Sequence, residues 1–180
     1  MYAIEPEDPH LLEDFLALEA PEGYRIELVG GEIVLSPPHD GGHAIAISRV
    51  VEQVFRAGCE FDLGCHKGLV VPGGHFIPDA VFTDYGAMDG QPPWWKPSGV
   101  VMVLEVATRL PARERRIKRS SYAAAGIARY LVLDLREREV VLHERPGRGD
   151  YGMTTTVRSG DLLPLPEPFG FELDTADLFG

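Results

Sequence analysis

Asp79 and Glu105 are the carboxylates in this chain whose surroundings call for chemistry. Residues 100–106 are apolar except for Glu105, the pattern of a strand buried on both faces. A carboxylate there must be neutralised, paired or bound to a cation, because an isolated buried charge is costly. Asp79 follows Ile77-Pro78 at the start of another apolar run, 77–83. If 77–83 and 100–106 pair antiparallel, the start of one lies beside the end of the other, and the two carboxylates meet at one sheet edge. Two hard oxygen donors at one point suit Mg²⁺ or Mn²⁺. The plainer alternative is an Asp that caps a turn and a Glu paired with an arginine.

Lys118 falls in a helix that the spacing predicts just after Glu105. Glu114, Lys118 and Tyr122 recur every four residues and so share one helical face, which could look back at the strand ends or carry a solvated Glu–Lys pair. Arg109, Arg113, Arg115, Arg116, Lys118 and Arg119 are a basic cluster in an acidic chain and invite a phosphate reading, with a solvated helix start as the alternative. Glu27 and Glu32 flank a hairpin turn. His43 lies in the first turn of a helix, where a lone histidine is more often structural. Trp94 and Trp95 could stack on bases or anchor a loop by burying their rings. Cys59, Cys65 and His66 lack a fourth ligand at a convincing spacing for a metal site and read as packing or surface residues.

The elements that must position these residues follow from periodicity and punctuation. Residues 8–19 fit a short amphipathic helix. Residues 24–37 read as a hairpin around Gly30-Gly31, which supply the positive φ a tight turn needs. Residues 40–55 form a second helix, ended near Gly58. Short strands are expected at 60–63 and 69–71, then at 77–83. A Gly- and Pro-rich loop spans 86–99, followed by the buried strand 100–106. A third helix runs from Pro111 to Ala125 and stops at Gly126. Strands 129–134 and 140–144 pair across a turn, and the remainder reads as a Pro- and Gly-rich tail with a last turn at 175–178. That order gives an α/β (α+β) fold in which a mixed sheet is flanked by helices.

The chain has 180 residues, 44% of them hydrophobic and 25% charged, which suits one domain with a substantial core. No apolar run reaches the length of a membrane span, and the acidic N-terminus lacks the basic-then-apolar order of a secretory signal, so a cytoplasmic protein is expected. Two cysteines are too few for a disulfide framework. The net charge of −11 argues against a large nucleic-acid footprint. It is unevenly spread: residues 41–149 carry 12 acids and 15 bases, so the chemistry belongs in that middle part and any DNA binding should be weak.

Taken together these residues resemble the Uma-two restriction endonuclease family of the PD-(D/E)XK nuclease superfamily. The likeness runs from Tyr24 to Glu144: Tyr24-Arg25-Ile26-Glu27-Leu28-Val29-Gly30-Gly31-Glu32, then Leu35-Ser36-Pro37-Pro38, His43, Pro78-Asp79, Glu105-Val106, Lys118 and Tyr122, and Ala125-Gly126 leading into Tyr130-Leu131-Val132-Leu133-Asp134. The resemblance implies a restriction-endonuclease-like core over about 24–144, with an N-terminal helix and hairpin. Asp79, Glu105 and the backbone carbonyl of Val106 would ligate Mg²⁺ or Mn²⁺. Lys118 would take the role of the superfamily lysine, moved from the strand, where position 107 is Ala, to the helix. Glu27, His43, Glu114 and Tyr122 would support the site. Thr108 and Glu114 stand where the family usually has Ser and Asp, which keeps the functional groups and shifts geometry.

The implied activity is metal-dependent hydrolysis of DNA phosphodiesters, with the 109–119 arginines on the DNA and a homodimer cutting both strands. A catalytically silent nuclease-like fold that serves as a binding or regulatory module is the alternative. A sugar-active enzyme with paired carboxylates fits less well beside a lysine.

Overall fold

The computed structural model describes residues 9–108 and 111–180. The chain runs α1 (Pro9–Ala17), β1 (Arg25–Val29), β2 (Glu32–Ser36), α2 (Gly41–Arg56), β3 (Asp62–Cys65), β4 (Gly68–Val71), β5 (Gly74–Phe76), β6 (Ala80–Thr83), β7 (Trp94–Trp95), β8 (Val100–Ala107), α3 (Ala112–Ala124), β9 (Arg129–Asp134), β10 (Glu139–Pro146), β11 (Tyr151–Arg158), β12 (Leu162–Leu165) and β13 (Phe171–Asp174). A six-stranded mixed sheet has the order β11-β10-β9-β8-β6-β3. A five-stranded sheet, β2-β1-β5-β4-β7, and the β12-β13 pair complete the fold. This is the α+β arrangement of a mixed sheet flanked by helices that the sequence pattern implies.

β8 is the axis. It pairs antiparallel with β6 and parallel with β9, and α3 makes the crossover that a parallel connection requires. Its side chains alternate between two cores, as strand period dictates. Met102, Leu104 and Val106 join the core under α2, with Val50, Val54, Phe82 and Leu131. Val103 and Ala107 join the opposite core, with Phe76, Tyr122 and Tyr130. Glu105 shares the parity of Val103 and Ala107 and therefore faces α3.

Local signals account for most element ends. Gly30 and Gly31 take φ of 56° and 79° in the β1–β2 turn, and the pairing Val29↔Glu32 closes it. Asp40 caps α2 by accepting from the His43 N–H at 3.0 Å. Gly126 ends α3 with φ of 77°.

Several expectations need correction. The strand expected over 77–83 begins only at Ala80; Pro78 has no N–H to give a ladder, and Asp79 spends its side chain on a neighbouring strand. The short β5 and β7 lie inside stretches too brief or too Gly- and Pro-rich to show periodicity. The Pro- and Gly-rich stretch after Glu144 is not a tail but contains β11, β12 and β13. β11 is a largely exposed edge strand, so its residues carry little apolar alternation, while Leu163, Leu165 and Leu173 are fully or almost fully buried. Trp95 is buried and Trp94 packs edge-on against Phe15, the loop-anchoring role. Cys59 and Cys65 are free thiols.

The pairing of β1 with β5 inside the five-stranded sheet depends on Gly74. Val29 pairs with Gly74, and a Cβ at that position, where φ is 151°, would stand 1.8 Å from the Leu28 carbonyl oxygen. Gly74→Ala should lower the urea midpoint by an amount equivalent to about 2–4 kcal/mol, and an unchanged midpoint would show that β1 and β5 can separate there without cost.

Candidate active site

Asp79 is held at the end of β8 by three groups. Its Oδ1 accepts from Arg25 Nη1 at 2.7 Å, and its Oδ2 accepts from the Val106 N–H at 2.8 Å. His43 Nε2 stands 3.2 Å from the same Oδ2, although the ring N–H is not aligned for a hydrogen bond. Burial pushes this carboxyl up, but His43, the Arg25 guanidinium and the Val106 N–H together hold it far below the usual carboxylate range. The pairing Ala80↔Leu104 sets the register that brings Asp79 alongside Glu105 and Val106.

Glu105 is 5% exposed and accepts from two phenols, Tyr122 at 2.7 Å on Oε1 and Tyr130 at 3.0 Å on Oε2. Lys118 Nζ lies 3.2 Å from the same Oε1. Burial raises the Glu105 carboxyl, with Lys118 pulling it back down and Glu27 and Asp79 pushing it further up. The two phenols are pushed well above the ordinary tyrosine value by burial and by Glu105 itself, so both remain donors.

The Lys118 ammonium, 4% exposed, is shared among Glu27 at 3.1 Å, Glu105 at 3.2 Å and Glu114 at 3.8 Å. Burial would depress this lysine, but the three carboxylates outweigh it and hold the ammonium above its ordinary value. Glu27 is fixed in turn by the Ile77 N–H, at 2.6 Å. Burial raises Glu114, again against the pull of Lys118. One ammonium thus faces three carboxylates, and Glu105 and Glu114 hold their protons to higher pH than free glutamates.

Arg25, Glu27, Asp79, Glu105, Glu114 and Lys118 line one cleft of about 480 Å³ together with Pro37, His39, Asp40, Val106, Ala107 and Thr108. Asp79 and Glu105 each have about four lone-pair sites and three close polar neighbours, so each keeps one site for a cation. Hard oxygens beside a surplus of negative charge fit Mg²⁺ or Mn²⁺.

The structure thus gathers Asp79, Glu105, Val106, Lys118, Glu27, Glu114, Tyr122 and His43 in and around one cleft. It does not gather the basic cluster into one face. Lys118 turns inward, Arg113 pairs with Glu32 at 2.7 Å, Arg115 with Asp134 at 3.2 Å and Arg119 with Asp150 at 2.5 Å. Arg116 stays on the exposed side of α3, and Arg109 lies outside the described residues. Three contributors were missed by sequence reasoning. Arg25 is two residues before Glu27 on β1, so strand alternation could have put both on one face. Tyr130 is two residues before Val132, the partner of Glu105 across the β8–β9 ladder, and shares its face. His39, whose ring stacks on His43 at 3.7 Å, follows a Pro-Pro pair and has no periodic signal.

The arrangement of a mixed sheet, a crossover helix and carboxylates at a strand end defines a nuclease-like fold. A crystal structure of a putative nuclease belonging to DUF820 from Anabaena variabilis ATCC 29413 has the same fold, with a TM-score of 0.74 and 17% sequence identity over 93% of this chain and 96% of that one. The sequence profile of Uma2, described as putative restriction endonuclease, matches residues 12–176, and the chain belongs to that family. No curated protein matches the sequence.

Removing the shared ammonium tests the charge balance. In Lys118→Met, Glu27, Glu105 and Glu114 lose their cation, and breaking such a buried set should cost about 3–5 kcal/mol at neutral pH. A carboxyl raised in the folded state binds more protons there than in the unfolded chain, so stability falls as pH rises. The deficit of Lys118→Met should therefore shrink as the pH is lowered toward the ordinary glutamate value of about 4.3. Chemical denaturation at several pH values reads this, and a pH-independent deficit would mean that the carboxylates do not depend on Lys118.

Proposed function

We propose that the chain is an endonuclease that hydrolyses DNA phosphodiester bonds with a divalent metal, Mg²⁺ or Mn²⁺. The observation that carries this reading is the Lys118 ammonium seated 3.1 Å from Glu27 and 3.2 Å from Glu105, in the cleft that also holds Asp79. Asp79 and Glu105, with the Val106 carbonyl, would hold the cation, which would lower the pKa of a bound water and offset charge on the phosphate. Lys118 has three N–H donors. Glu27 and Glu105 engage the ammonium, and among the described residues Glu114 at 3.8 Å is the next carboxylate, which leaves donor capacity for the attacking water or the phosphate. Tyr122 and Tyr130 orient Glu105, Arg25 orients Asp79, and Glu27 positions Lys118. The reading includes one domain, a homodimer that cuts both strands and a cytoplasmic setting; no helix of the described residues is long and apolar enough to cross a membrane.

The test combines binding and cleavage. Wild type should bind Mn²⁺ in calorimetry and nick plasmid DNA with Mg²⁺. Asp79→Asn should lose at least about tenfold in Mn²⁺ affinity and stay folded. Lys118→Met, assayed where circular dichroism shows it folded, should bind Mn²⁺ and not cleave. A wild type that takes up no Mn²⁺ would sink this reading and favour a silent, nuclease-like binding module.

That second reading has one observation behind it, the neutralisation of Arg113, Arg115 and Arg119 by acidic partners. DNA binding by either kind of protein should be weak and involve α3. Charge reversal at Arg115 and Arg116 should reduce DNA affinity and flatten its salt dependence; unchanged affinity would leave these side chains as a solvated helix face.

A further inference from the structure

We propose that His39, His43 and Asp79 form a second cation site, suited to borderline transition ions of the Zn²⁺ class and distinct from the Asp79–Glu105 position. Each residue offers one ligand atom, and the three atoms lie within 4.8 Å of one another. Among the described residues no other group of three His, Cys, Asp or Glu donors is so close. The donors come from separate places: His39 from the segment between β2 and α2, His43 from the first turn of α2, and Asp79 from the run before β6.

Two features point to a ligand rather than to packing. His43 is 3% exposed, yet its Nε2 has no aligned hydrogen-bond partner, although Asp79 Oδ2 is 3.2 Å away. A buried polar nitrogen left in this way costs free energy unless something takes up its lone pair or proton. The His43 backbone is also held in place, since its main-chain N–H donates to the Asp40 side chain at 3.0 Å. His39 is the exposed, adjustable member. Its ring stacks on His43 at 3.7 Å with 1° between the planes, and its Nε2 contacts Arg25 Nη2. Parallel rings direct their in-plane lone pairs side by side, so ligation requires His39 to leave the stack and Arg25 to release its nitrogen.

Two imidazole nitrogens and one carboxylate oxygen are the donor set that favours Zn²⁺, Co²⁺ or Ni²⁺ over Mg²⁺, and three protein ligands leave a position open. Asp79 belongs to both positions, so an ion at the histidines acts directly on the carboxylate of the proposed nuclease centre.

The test is calorimetry of the full chain with ZnCl₂ and, separately, MnCl₂, on wild type, His39→Ala and Glu105→Gln. His39 is exposed, so its replacement leaves the core intact. His39→Ala should weaken Zn²⁺ binding about tenfold or more and weaken Mn²⁺ binding less than it weakens Zn²⁺, whereas Glu105→Gln should weaken Mn²⁺ more than Zn²⁺. Co²⁺-loaded wild type should show visible absorption bands that His39→Ala lacks. Equal Zn²⁺ affinity in wild type and His39→Ala would overturn the proposal, as would loss of Zn²⁺ binding in Glu105→Gln with retention in His39→Ala. His39-dependent Zn²⁺ binding by a protein that takes no Mn²⁺ would support the histidine site while overturning the carboxylate one.

Discussion

A buried lysine normally loses its charge, because burial penalises the ammonium. Lys118 keeps its proton because Glu27, Glu105 and Glu114 surround it, and the constraint runs both ways. The three carboxylates could not share so dry a pocket without that cation. Glu27 belongs to β1, Glu105 to β8, and Lys118 and Glu114 to α3, so this cluster joins the five-stranded sheet, the six-stranded sheet and the crossover helix. Replacing such a cluster by apolar residues of equal volume is often neutral for stability.

Asp79 is governed by the opposite logic. Burial, Glu27 and Asp79 raise Glu105, and burial, Glu27 and Glu105 raise Glu114, whereas Asp79 has His43, a guanidinium and a backbone N–H beside it and is held far below the usual carboxylate range. Two carboxylates within one cleft are thus driven apart in proton affinity by their separate partners. Asp79 holds its charge to lower pH than a free aspartate, and Glu105 releases its proton at higher pH than a free glutamate.

The central strand and its glutamate were legible because burial on both faces leaves an apolar run in which one charged residue stands out. The inward turn of Lys118 was legible through four-residue spacing with Glu114 and Tyr122, together with family likeness. Arg25 and Tyr130 were within reach of strand alternation, but that needs the pairing partners, which are set by contacts between residues far apart in the chain. The ion pairs of the α3 arginines were not legible because sequence proximity says nothing of the acids brought opposite by folding: Asp134 and Asp150 reach Arg115 and Arg119 from β9 and from just before β11. β11 to β13 stayed hidden because an exposed edge strand and a small two-stranded ribbon carry little hydrophobic period.

The hydrogen bond between Lys118 and Glu27 spans 91 positions of the chain. Contacts of such long range form late, since the entropy of closing a large loop must be met before they contribute. During synthesis the β1–β2 hairpin leaves the ribosome well before α3 exists to receive it. A partly made chain therefore has Glu27 without its counter-ion and Asp79 without the Val106 N–H. The cleft therefore comes into being only once β1, β8 and α3 are all in place, and a copy truncated before α3 has Glu27 and Glu105 without their shared cation.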